Sequence, residues 1–169
     1  MDLKESIRSI EDYPQKGVTF RDITTLLKDK DAFREAIRRM AEAARRYEVD
    51  KVVGIEARGF LLGTPLALEL GVGFVPIRKP GKLPYKKRSV TYDLEYGNDG
   101  IEIHEDAIAP KEKVLIVDDL LATGGTSLAA QQLVESLGGE VEAFVFLIEL
   151  DALNGRSRIA RPVESVLHY

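Results

Sequence analysis

The chain has 169 residues, 44% hydrophobic and 31% charged, with a net charge of -4. That is the length and balance of one globular domain, able to bury ~70% of the surface its unfolded chain exposes. It contains no cysteine, which excludes a disulfide framework, thiolate catalysis and a cysteine-ligated metal.

No apolar run approaches the ~20 residues of a membrane span, so no membrane partner is expected. The opening "MDLKESIRSIEDYP" carries charges from its second residue and lacks the apolar core of a secretory signal; a cytoplasmic protein is expected. The negative net charge speaks against a nonspecific nucleic-acid binder.

After a turn-rich lead containing Pro14 and Gly17, residues Phe33, Ile37, Met40, Ala41 and Ala44 recur at helical spacing, with Asp31 placed to cap the start. "KVVGI" at 51–55 reads as a buried strand, followed by the loop "EARG" and the helix "FLLGTPLALEL". Pro65 is tolerated near that helix's start, and Gly71 ends it. A second strand is "GFVPIRK" at 73–79.

Residues 79–110 then break the pattern. Val90, Tyr92, Leu94 and Tyr96 alternate, "GNDG" offers a turn, and Ile101 and Ile103 alternate again, which predicts a long antiparallel hairpin. His104 follows this alternation on the face opposite the isoleucines and is expected at the surface. With His168 distant in sequence, a serine-histidine-aspartate or di-histidine metal site is not supported.

"KVLIVDD" predicts a third strand, ending at 117. Thr126, Ala129, Ala130, Leu133, Val134 and Leu137 then line one helical face, stopped by Gly138 and Gly139. "VEAFVFLIEL" at 141–150 is a last buried strand, and "VESVLHY" adds an edge. Strands alternating with helices predict an α/β fold with a parallel central sheet flanked by helices, in a single domain over 1–169.

Two features carry chemistry. In open parallel sheets ligands sit at the carboxyl ends of strands, where Asp118 and Asp119 meet the loop "ATGGT". Glycines for close backbone approach, two threonine hydroxyls and the start of a helix form an anion cradle. No Walker A lysine follows, and "GVGFVP" lacks the third glycine of a dinucleotide fingerprint. Carboxylates beside a phosphate site suit hydroxyl donors, so a sugar phosphate answers both halves.

The second feature is "RKPGKLPYKKR" at 78–88, with six cations and no anion. It admits three readings: a solvated loop, a nucleic-acid patch or a clamp on a polyanionic substrate. With Tyr85 as its sole aromatic platform, the clamp is favoured.

"VLIVDDLLATGGTS" resembles the signature of the type I phosphoribosyltransferases. The family's fold, with a flexible hairpin (here 79–110) and an N-terminal hood that selects the base (here 1–30), agrees with the predicted order of elements. The resemblance implies that Asp118 and Asp119 bind ribose hydroxyls while Ala122, Thr123, Gly124, Gly125, Thr126 and Ser127 hold the 5′-phosphate of 5-phosphoribosyl 1-pyrophosphate.

Four further stretches, "DYPQKGVTFRDIT", "EARGF", "IRKPGKLP" and "YDLEYG", resemble the members that use adenine. They imply an adenine hood in which Val18 and Arg21 offer backbone groups and Phe20 lies against the base, with Leu150 on its other face and Tyr96 closing over the site. They imply a pyrophosphate loop of Glu56, Ala57, Arg58 and Gly59, supported by Arg78, Lys79 and Lys82, with Arg78 reaching the neighbouring subunit of a homodimer.

Glu95 matches the residue that exchanges a proton at the purine ring, so the implied catalytic set is Glu95, Arg58, Asp118 and Asp119. The implied reaction converts adenine and 5-phosphoribosyl 1-pyrophosphate to AMP and pyrophosphate, with Mg2+ held mainly through the substrate and no nucleic-acid partner. Guanine, hypoxanthine or xanthine in place of adenine, and a regulator that keeps the phosphoribosyl site but binds nucleic acid, stay open as alternatives.

Overall fold

The computed structural model describes residues 1–93 and 97–169. The chain divides into two compact units, Met1–Arg39 and Met40–Tyr169.

The first unit holds a short antiparallel ribbon, β1 (Arg8–Ile10) with β2 (Phe20–Asp22), then the single-turn helix α1 (Thr24–Leu27) and most of α2 (Lys30–Ala44). Asp22 knots the ribbon to α1. Its carboxylate accepts from Arg8 Nη2 at 2.6 Å, from Thr24 Oγ1 at 2.6 Å and from the Thr24 amide at 2.9 Å. The Thr24 hydroxyl and the Arg8 guanidinium hold its pKa down at about 2. A carboxyl lowered in the folded state adds stability above its unfolded pKa, near 3.9, and loses it as pH falls through the folded value. Asp22→Asn is therefore expected to cost about 2 kcal/mol at neutral pH, and the gap between the two melting curves should close on acidification from about pH 4 to about pH 2.

Helix α2 is capped earlier than its sequence suggests. Asp29, not Asp31, accepts from the amides of Asp31 and Ala32, both at 2.9 Å. Asp31 lies inside the first turn, where its charge still favours the helix dipole.

The second unit is built on a five-stranded sheet in the order β4-β3-β7-β8-β9, every neighbouring pair parallel: β3 (Lys51–Ile55), β4 (Gly73–Ile77), β7 (Lys113–Leu121), β8 (Glu140–Glu149) and β9 (Val163–His168). Helix α3 (Arg58–Leu70) packs on β3, β4 and β7, and α4 (Gly125–Ser136) on β7 and β8. The chain leaves β3 toward one edge and β7 toward the other. Right-handed crossovers in opposite directions put the two helices on opposite faces and open a crevice between the ends of β3 and β7. The core consists of the inward residues of these strands with Ala129, Ala130, Leu133 and Val134 of α4.

The hairpin is β5 (Lys87–Asp93) with β6 (Asn98–His104), packed against α4. It differs from the sequence reading in two ways. Asn98, Asp99 and Gly100 of "GNDG" lie in β6 rather than in a turn. And His104 is half-buried, because the chain around 78–89 covers the face opposite Ile101 and Ile103: Arg78 bridges to Glu102, the Tyr85 ring meets His104 edge-on at 6.1 Å, and buried Glu102 accepts from Ser89 and from the Gly81 amide. Among the described residues, no helix is long and apolar enough to cross a membrane.

Candidate active site

The strand that carries the paired acids is longer than the apolar run. It continues through Asp118 and Asp119 to Leu121, because β8 keeps pairing with it as far as Leu121↔Glu149. On its other edge, pairing with β3 stops at Gly54↔Val117. The two aspartates therefore project where one side of the strand has lost its neighbour, opposite the loop that leaves β3.

That loop is 56–58, and it contains a cis peptide between Glu56 and Ala57. The Glu56 amide donates to Ile77 O at 2.9 Å, and its carboxylate accepts from the Lys79 amide at 2.7 Å with Arg78 Nε 3.4 Å away. Glu56 thus anchors the base of the cationic segment. The Lys79 amide and then the Arg78 guanidinium keep its pKa below the usual carboxylate range, against the opposing effect of burial. The loop runs directly into the first turn of α3 at Arg58 and Gly59. Gly59 packs tightly on the acid strand: a Cβ there would lie 3.0 Å from both Asp118 Oδ1 and Val117 O, so the neighbours would have to give by a few tenths of an ångström.

Arg58 turns to the acids, with Nε 2.7 Å from Asp119 Oδ2. Asp119 is 5% exposed. Asp118 accepts from the Asp119 amide at 2.9 Å through Oδ1. Burial and then the neighbouring Asp119 charge raise its pKa well above the ordinary value, and the more distant Arg58 offsets little of this. Two carboxylates this close therefore disfavour each other's ionisation.

After Leu121 the chain forms the cradle. Gly124 adopts a left-handed conformation, φ 89°, and α4 begins at Gly125. The start of the helix lines a small cleft together with Asp118, Leu120, Leu121 and residues 122–124. Ser127 is buried and Thr123 exposed. The cradle rests on a segment that sequence reasoning passed over: a Cβ on Gly124 would lie 2.9 Å from Gly155 O, and one on Gly155 would overlap Ala122 O. Arg158 Nη1 donates to Thr123 O at 3.2 Å. The signal available in the sequence was "NGRSR" at 154–158, an asparagine and glycine ahead of two arginines, with Asn154 left-handed at φ 50°.

The six cations of 78–88 do not converge on one point. Lys79 pairs with Asp99 at 2.5 Å, Lys87 donates to Leu83 O, and Arg88 donates to Ser136 O at the end of α4. Arg78 and Lys79 are the two fixed beside the 56–58 loop. Leu150, expected beside the base, follows β8 directly and donates to Leu121 O at 3.0 Å, at the edge of the cradle. Val18, Phe20 and Arg21 belong to the first unit, where Tyr13 packs edge-on against Phe20 at 5.2 Å and Arg21 Nη1 donates to Ser9 Oγ at 2.6 Å. Glu95 and Tyr96 lie outside the described residues.

A crevice at the reversal of strand order, walled by an acid pair, a helix-start anion cradle and an arginine loop, is the chemistry of a phosphorylated sugar bearing a second anionic group. Comparison with known proteins agrees. Residues 24–167 match the family model described as the phosphoribosyl transferase domain. The chain belongs to the phosphoribosyltransferase family.

Its relatives narrow this to the adenine phosphoribosyltransferases. The chain is 60% identical over 159 residues to the adenine phosphoribosyltransferase of Thermotoga neapolitana, covering 94% of each chain. Among solved structures, the adenine phosphoribosyltransferase of Thermoanaerobacter pseudethanolicus superposes with a TM-score of 0.97 at 51% identity, covering 99% of this chain and 98% of that one. The Saccharomyces cerevisiae enzyme, solved with an imino-altritol bisphosphate and adenine, gives 0.93 at 42% identity, covering 98% and 97%.

Proposed function

We propose that this phosphoribosyltransferase transfers the phosphoribosyl group of 5-phosphoribosyl 1-pyrophosphate to adenine, giving AMP and pyrophosphate in purine salvage. The observation that carries the reading is the juxtaposition of the acid pair with the 122–127 cradle and the 56–58 loop. One arrangement matches a pyrophosphate, a diol and a 5′-phosphate, the order in which they occur on that substrate.

Asp118 and Asp119 accept from the ribose hydroxyls, and residues 122–127 receive the 5′-phosphate on the free amides of α4. Ala57, Arg58 and Gly59, with Arg78, Lys79 and Lys82, take the pyrophosphate. As the pyrophosphate departs, positive charge develops on the ribose ring. The acid pair lies where its field opposes that charge, and the cations stabilise the leaving group. Val18, Phe20, Arg21 and Leu150 select the base, Tyr96 encloses it, and Glu95 exchanges the purine proton. The whole chain, 1–169, works as one phosphoribosyltransferase domain in which 1–30 selects the base.

The donor set suits a hard cation such as Mg2+: it is made of oxygens, and the mutual repulsion that holds the Asp118 pKa up is what a nearby cation would relieve. The ion would be held mainly through the substrate's own oxygens, beside Asp118 and Asp119 and with no direct ligand from the protein, and would neutralise pyrophosphate charge. We further propose a cytoplasmic homodimer in which Arg78 serves the partner subunit's pyrophosphate.

Pyrophosphate release measured across a panel of purine bases tests the assignment. Adenine presents an amino donor at the 6-position where hypoxanthine and guanine present an acceptor, and fixed backbone groups cannot serve both. Adenine is expected to dominate. Comparable catalytic efficiency with hypoxanthine would leave the transferase reading standing and overturn the base.

A further inference from the structure

Tyr92 lies on β5 with its ring against the core and its hydroxyl between two oxygens: Asp99 Oδ2 at 3.3 Å and Thr126 Oγ1 at 3.2 Å. Asp99 is its cross-strand partner on β6 and also receives Lys79 Nζ at 2.5 Å. A chain of polar contacts thus runs from Lys79, beside the 56–58 loop, through Asp99 and Tyr92 to the hydroxyl of Thr126 in the anion cradle.

The phenol has one hydrogen and two candidate acceptors. If it goes to Asp99, Thr126 must donate its own hydrogen to Tyr92, which turns that hydrogen away from the cradle. If it goes to Thr126, the threonine hydrogen is released for another acceptor. Both contacts are long for O–H···O bonds, as expected where one hydrogen is offered to two sites. A phosphate accepts and does not donate, so its arrival in the cradle selects the second arrangement: Tyr92 donates to Thr126, and Thr126 donates to the phosphate. Asp99 keeps Lys79 as its partner and is not stranded by the change.

We propose that Tyr92 is a positioning residue for the 5′-phosphate, aiming the Thr126 hydroxyl at it by supplying that oxygen with a hydrogen of its own. This rests on the reading that residues 122–127 hold the 5′-phosphate. Tyr92→Phe removes one hydroxyl and keeps the packed ring, so the fold is retained.

Calorimetric titration of the wild type, Tyr92→Phe, Thr126→Val and the double variant with AMP and with adenosine tests it, because the two ligands differ only by the phosphate. Tyr92→Phe is expected to weaken AMP about five-fold and leave adenosine unchanged, and to have no further effect in the Thr126→Val background. The proposal is overturned if AMP and adenosine weaken alike, if AMP affinity is untouched, or if the two substitutions multiply. A wild type that binds AMP no better than adenosine would instead overturn the phosphate assignment of the loop, and this proposal with it.

Discussion

Asp118→Asn is expected to melt later than the wild-type protein in the absence of ligand, and to lose turnover by a factor on the order of 10³. Both effects come from one carboxylate. In the ligand-free site Asp118 is pressed by burial and by the charge of Asp119, so a neutral isostere removes a repulsion. The amide oxygen of asparagine still accepts from the Asp119 backbone, a bond of 2.9 Å in the wild type. A gain of about 1 kcal/mol would move the midpoint by about 2–4 °C in a chain of this size.

The sign follows from linkage. A carboxyl whose pKa is raised on folding binds more protons in the native state, so the wild type loses stability as pH rises above the unfolded value near 3.9 and stops losing it beyond the folded value. The asparagine variant does not titrate there. The difference in melting temperature should be absent below about pH 4 and grow toward neutrality, which scanning calorimetry at several pH values would show. Turnover falls because the ribose hydroxyls lose a charged acceptor and the developing positive charge loses part of its opposing field. A variant with lower stability at neutral pH, or with ordinary turnover, would contradict the account.

The second large effect is expected from a glycine remote in sequence from the signature. Gly155→Ala places a methyl group where it overlaps Ala122 O, with Leu121 Cδ1 3.1 Å away. The carbonyl is backbone and cannot rotate aside, so the 121–124 segment has to move. The amides of α4 are then no longer aimed as before, and a displacement of about 1 Å in a positioning element costs on the order of 10²-fold. That loss should fall on the Michaelis constant for 5-phosphoribosyl 1-pyrophosphate, with adenine affinity little changed. Gly73→Ala is the matched control, since its nearest neighbour, Lys51 Cε, is 3.9 Å away. Equal behaviour of the two variants would show that the contact between 155 and 122 is not what shapes the cradle.

Local signals were sufficient wherever one segment decides its own structure. The apolar run before Asp118, the helical spacing of α2 and α4, and the glycine-threonine loop each announced an element and placed it in order. Features set by a neighbour distant in the chain were not legible. Strand β7 outlasts its apolar run because β8 is still alongside at Glu149, and no property of residues 118–121 alone says so. Glu102 alternates with Ile101 and Ile103 and reads as exposed, yet it is 6% exposed because Gly81 and Ser89 close over it. The helical spacing points to Asp31 as the cap of α2, and the backbone geometry places the cap at Asp29 instead. Gly155 lies outside every motif that carries the resemblance, and Tyr92 opens "YDLEYG" without a role of its own there; their importance is a matter of which backbone or hydroxyl they meet.

The contact between Arg58 and Asp119 bears on which molecules the site refuses. The arginine already has a counter-ion in Asp119, which is 5% exposed, so a simple inorganic phosphate that draws the guanidinium toward itself competes with that carboxylate. Adenosine, by contrast, offers hydroxyls to the acid but nothing to the guanidinium. On the function proposed above, a molecule presenting both an anion and a diol at the correct separation engages both partners at once, which one carrying a single group does not. An internal ion pair in such a crevice would then act as a coincidence detector, favouring a ligand that carries both groups over abundant metabolites that carry one.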